Sequence, residues 1–304
     1  LVGINDTNDN APVVTMSVSG TADVDVAGTL WIGQDGFGKL TQSGGSITTE
    51  DMFLSDGNAG AGDTTGTYVM TGGVLTVNDE LRAGHSQDTD SEIIQTGGEI
   101  NVGRMFMLSD GSQGTYRLSG TGVMNAGEVL VSNNPGRHGL VVMEDGDFNV
   151  TTDLRLSDNS GDAITTGTFL LSGGDLVVGG WEVVEHTPGA GTNAYFKQDG
   201  GTNTADVLFV GASGTYDYES GVMDKGSLQL VDGGVLDLSD TSITLNITGG
   251  LFSSAGGTIL GGGSATVDLD SDSIVFINSG GDPGEGLGSF TGTGFTHVIT
   301  DDFT

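Results

Sequence analysis

A phrase of about 25 residues recurs along this chain, and a fixed period in that range marks a solenoid, in which each repeat packs only on its neighbours. The phrase is an apolar pair, a glycine turn, a second apolar pair, then Leu-x-apolar closed by Ser-Asp or Gly. The clearest copies read GTYVMTGGVLTVNDELRAG, SEIIQTGGEINVGRMFMLSD and GTFLLSGGDLVVGGWEVVE. Within each copy the apolar positions lie two apart, which is the β period. No segment carries a helical period. Three short strands per turn, separated by sharp corners, make an all-β parallel β-helix, and uneven loops favour a right-handed coil.

The copies align into rows. Strand one gives Leu40, Tyr68, Ile93, Tyr116, Val141, Phe169, Phe196 and Tyr216. Beside it stand Gln42, Met70, Gln95, Leu118, Met143, Leu171, Gln198 and Tyr218. Strand two gives Ile47, Leu75, Ile100, Met124, Phe148, Leu176, Asn203 and Met223. Strand three gives Leu30, Met52, Leu81, Phe106, Val129, Leu154 and Leu208, followed two residues later by Ile32, Leu54, Ala83, Leu108, Val131, Leu156 and Val210. Glycine pairs such as Gly72-Gly73 and Gly97-Gly98 fall between strands one and two, where a tight corner needs positive φ. The glutamines in an apolar row are expected to bond the backbone at a corner, because a buried amide demands partners. The three tyrosines are expected in the core. Length varies mainly between strand three and the next coil, so variable loops emerge along one edge.

This pattern divides the chain into an extended leader at 1–13, a solenoid at 14–238 and a C-terminal β cap at 239–304. In the last segment the phrase fades but apolar and polar residues still alternate. The lack of an initiator Met and of a signal peptide points to a processed mature protein or a fragment. No apolar run is long enough for a transmembrane segment.

Formal charge narrows the partners. The chain has 41 acidic residues against eight Lys plus Arg, a net charge of −33. Nucleic acid needs basic contacts and is excluded as a partner. Metal cations are favoured, above all Ca²⁺ with its oxygen ligands. There is no cysteine, so disulfides cannot staple the coils.

The repeat resembles that of secreted bacterial β-helix proteins of the autotransporter-passenger type, over roughly residues 14 to 238. That resemblance implies an extracellular or cell-surface location; it does not fix an activity. At the N-terminus, Asp6-Thr7-Asn8-Asp9-Asn10-Ala11-Pro12 resembles the calcium-binding linker of cadherin domains. The resemblance implies Asp6, Asn8, Asp9 and Asn10 as calcium ligands. Partner carboxylates would come from Asp268, Asp270 and Asp272 or from Asp301 and Asp302. A solvated Asn/Asp-rich leader is the alternative reading of the same residues.

No catalytic constellation emerges. Eight cations scattered at about one per coil make no basic groove for an acidic polysaccharide. His85, His138 and His186 read as loop residues. An acidic file of Asp35, Asp56, Asp110, Asn133 and Asp158 follows strand three, and stacked carboxylates repel unless cations or hydrogen bonds intervene. Flat threonine rows of the ice-binding type are not expected. The expected function is a non-catalytic structural subunit of a filament or surface layer, polymerised head to tail with calcium and an added strand. The alternative is an adhesin binding glycans through its loop edge, with Trp31 and Trp181 as stacking residues.

Overall fold

Alternating side chains put one row of each strand inside and the next outside. The computed structural model describes residues 2–4, 14–34, 36–55, 64–85, 89–111, 113–134, 136–158, 165–185, 192–239, 244–255, 257–261, 266–269, 273–278, 289–292 and 296–300. Among these the fold is all-β, without a helix, and every strand pairs in parallel with its counterpart one coil away. The protein is a parallel β-solenoid with three faces.

The rows read from the sequence are the rows of the ladder. On face one, Leu40 registers with Tyr68, Tyr68 with Ile93, and so on through Tyr116, Val141, Phe169, Phe196 and Tyr216. All eight side chains are fully buried. Stacking like on like spaces the aromatic rings by one coil. Phe169 and Phe196 lie face to face at 4.9 Å, Phe196 and Tyr216 at 4.7 Å, the separation of neighbouring strands. Phe196 and Tyr216 thus each stack on the preceding ring in addition to burying their area.

The ladder runs on past residue 238. Val235–Asp237 pairs with Thr258–Leu260, and Thr244–Ala255 pairs with both Thr266–Leu269 and Ser273–Asn278. Those in turn pair with Ser289–Gly292 and Thr296–Thr300. At the other end Val2–Ile4 pairs with Leu30, Trp31 and Ile32.

Corner chemistry holds the coil closed. The second glycine of the corner between faces one and two has positive φ; at Gly73 it is 92°, and a Cβ there would meet Gly45 O at 2.6 Å. Serines turn the corner after face three. Ser109 adopts φ 59° and its Oγ accepts the Gly114 N–H at 2.7 Å while donating to His138 O at 2.5 Å. Ser55 does the same with Gly66 and Asp90. The Ser of the Ser-Asp phrase therefore ties one coil to the starts of the next two.

The expected glutamine contacts are present. Gln42 Nε2 donates to Val74 O at 3.0 Å and Gly45 O at 3.3 Å, and Oε1 accepts from Tyr68 at 2.6 Å. Gln198 repeats the arrangement with Val222, Gly201 and Tyr216. Burial pushes the Tyr68, Tyr116 and Tyr216 hydroxyls well above their ordinary range, so they remain donors.

Candidate functional site

Three outer faces and one interior cluster carry the chemistry. Face three presents a row running Trp31, Phe53, Arg82, Met107, Leu130, Arg155, Val183 and Phe209. This row is mostly apolar and aromatic, and Met107, Leu130 and Val183 within it are buried. Trp31 and Phe53 pack edge to face at 4.8 Å, His85 lies over Phe53 at 4.9 Å, and Arg82 sits 5.5 Å from the Phe53 centroid. Trp181, two residues before Val183 of the row, is 44% exposed. It is a surface side chain.

The two arginines of the row are held from both sides. Arg82 meets Glu80 at 2.5 Å and Asp110 at 2.8 Å. Arg155 meets Asp153 and Asp158 at 3.0 Å and Glu128 at 3.6 Å. Arg104 stands at the corner before Met105, paired with Asp79 and Glu80. Arg117 meets Glu92 and Lys197 meets Glu219. The acidic file after strand three is relieved in the same way. Burial raises the Asp110 pKa, but the His85 hydrogen bond and the Arg82 charge outweigh it and hold it below its ordinary value. Asn134 adds a 2.7 Å hydrogen bond. Asp35 and Asp56 lie outside the described residues.

Face two carries an amide ladder. Asn149 donates to Asn125 Oδ1 at 3.0 Å, and Asn125 to Asn101 at 2.9 Å. Asn101 and Asn125 line an open groove of about 230 Å³ with Thr76, Gly103 and Gly127. Face one holds threonines in alternate coils, at Thr15, Thr67, Thr115, Thr168, Thr215 and Thr258. They are not continuous, because Lys39, Glu92, Leu140, Tyr195 and Val235 stand between them.

The interior cluster was not anticipated. Glu182 occupies the core row of face three, registering with Leu154 and Leu208. Lys225 occupies the core row of face two, registering with Ala205. Both are fully buried, as is Asn203. Lys225 Nζ lies 2.5 Å from Glu182 Oε2 and 2.6 Å from Asn203 Oδ1. Asn203 Nδ2 donates to Glu182 Oε1 and to the Tyr216 hydroxyl, each at 2.9 Å. Burial drives the Lys225 ammonium down from its ordinary value, against the opposing pull of Glu182. Lys225 therefore belongs to the core and not among the scattered surface cations. Aligning VMDKG with VMNAG shows Lys225 at the position of buried Ala126, a signal available from the sequence.

Of the candidate calcium residues, Asp6, Asn8, Asp9, Asn10, Asp270, Asp272, Asp301 and Asp302 lie outside the described residues. Asp268 is described: it lies on face two, between Asn246 and Thr291 in the ladder. His186 is outside the described residues; His138 Nδ1 stands 3.0 Å from Thr166 Oγ1. Among the described residues no three His, Cys, Asp or Glu side chains gather into a metal-binding group, and no helix is long and apolar enough to cross a membrane.

No family model, curated protein or solved structure matches the chain.

Proposed function

We propose that the protein is a non-catalytic structural rod, a subunit of an extracellular filament or surface layer joined end to end with calcium and an added strand. One observation carries this reading. The parallel ladder extends from Val2–Ile4 to Thr296–Thr300, and among the described residues the outer backbone edge of each end strand has no strand beside it. A further parallel strand, supplied by another copy, can extend such an edge by backbone hydrogen bonding. Parallel continuation is a head-to-tail contact, which propagates as an open line. A net charge of −33 opposes that contact. Divalent cations bound by the leader motif and Asp268 would relieve the repulsion.

A second reading, a surface adhesin that binds glycans, is favoured by the aromatic row on face three. Trp181 and the Trp31–Phe53 pair are rings of the kind that stack on sugar faces. The likeness of the repeat to autotransporter passengers suits either reading. Sedimentation with calcium and with chelator separates them. Calcium-dependent polymers support the rod. Monomers in both conditions, retained on a glycan array and released by Trp181→Ala, support the adhesin.

A further inference from the structure

We propose that Lys225 and Asn203 join in a self-catalysed isopeptide bond inside the solenoid, with Glu182 as the proton-transferring catalytic residue. Three chemical roles meet in this one buried cluster. Lys225 supplies an amine nucleophile, 2.6 Å from the oxygen bonded to the carbon it attacks. Asn203 supplies the electrophilic amide carbon. Glu182 contacts both, with Oε2 on the amine and Oε1 on the amide nitrogen that departs. Tyr216 holds that same nitrogen through its hydroxyl.

Water is excluded, since Lys225, Glu182, Asn203 and Tyr216 are all fully buried. An ammonium is not a nucleophile; the free amine is. A buried ion pair also loses its hydration, which favours proton transfer to the neutral pair. The lowered pKa of Lys225 agrees with that direction. Held groups at contact distance need no diffusional encounter.

The Lys225 ammonium gives one proton to the Glu182 carboxylate, leaving amine and carboxylic acid. Nζ attacks Asn203 Cγ, which leaves negative charge on the carbonyl oxygen and positive charge on Nζ. The carboxylic acid donates its proton to Nδ2, which Oε1 contacts, and the carboxylate so formed takes a proton from Nζ through Oε2. The tetrahedral intermediate collapses as the carbonyl re-forms, the Cγ–Nδ2 bond breaks and ammonia leaves. One C–N bond forms, one breaks, nothing is oxidised or reduced, and Glu182 remains as a neutral acid.

The product ties two successive coils covalently, from the strand Thr192–Val210 to the strand Gly214–Val231. A chain without cysteine has no disulfide for this purpose.

The test is intact-mass spectrometry of the full chain, denatured after the folded protein has been incubated until its mass is constant, with sequencing of a proteolytic digest. The expected mass is that of the sequence less one ammonia, with a branched peptide joining Asn203 to Lys225. Succinimide formation at an asparagine also releases ammonia, but it survives Lys225→Met, whereas the isopeptide does not. Glu182→Gln preserves the side-chain volume and is expected to restore the full mass. A wild-type mass equal to the sequence, or a loss that persists in Lys225→Met, overturns the bond. A branched peptide in Glu182→Gln overturns the role of Glu182. If the variants fail to fold, the wild-type branched peptide still decides the central point.

Discussion

The Tyr116 hydroxyl donates to Gln95 Oε1 at 2.6 Å across the step between two coils. Gln95 Nε2 in turn donates to Gly98 O and Val123 O. The amide is thereby saturated inside an apolar row, and the same bracket joins Gln42 to Tyr68 and Gln198 to Tyr216. Each of these glutamines is followed one coil later by a tyrosine in the neighbouring row, so the two residue types form one unit of the repeat.

Removing half of that unit is costly. Tyr116→Phe leaves the buried Gln95 oxygen without its donor and should cost about 1–3 kcal/mol. Adding Gln95→Met should recover part of the loss, because Leu118 fills that row in the next coil. Urea midpoints of the single and double variants check this.

Gly139 is required by close approach. A Cβ there would lie 1.5 Å from Val131 O. Gly139→Ala should therefore lose at least the ~1–3 kcal/mol typical of an overpacked core. Gly28 has nothing within 4 Å of the same position, and Gly28→Ala should leave the thermal midpoint nearly unchanged.

Ser109 combines strain with two hydrogen bonds. Ser109→Ala strands the Gly114 N–H and the His138 carbonyl and keeps the positive φ, for a loss of about 1–3 kcal/mol. Ser109→Gly loses the same bonds but relaxes the backbone, and should fall short of that loss in the same unfolding assay.

Asp110 contributes to acid sensitivity. Its folded pKa lies below the ordinary 3.8, so the carboxylate form favours the folded state. The contribution is complete above the ordinary value and disappears as pH falls through the folded one. Asp110→Asn should lower stability near neutrality and flatten the acid limb of the stability curve, measured by denaturation across that range.

The fold was legible because its core is periodic. Rows of Leu, Ile, Val, Tyr and Phe two residues apart can be aligned without a structure, and their register follows. Glycine pairs marked one corner for the same reason. Glu182 and Lys225 were missed because an apolar pattern skips charged positions, although strict alignment places both in core rows. The pairing of Arg82 with Asp110 was also hidden. It joins side chains from different coils, and one outward file does not reveal what the next corner presents. Much of the variable edge and the leader motif, where sequence reasoning placed calcium, lies outside the described residues.

The central claim is a rod that polymerises end to end. Negative-stain electron microscopy of the purified full chain, with millimolar-scale calcium and with chelator, tests it directly. The account predicts long fibres of single-rod width in calcium that fall to short rods on chelation and fail to form when residues 1–13 are deleted. Short single rods in both conditions, or fibres indifferent to chelator and deletion, would contradict it.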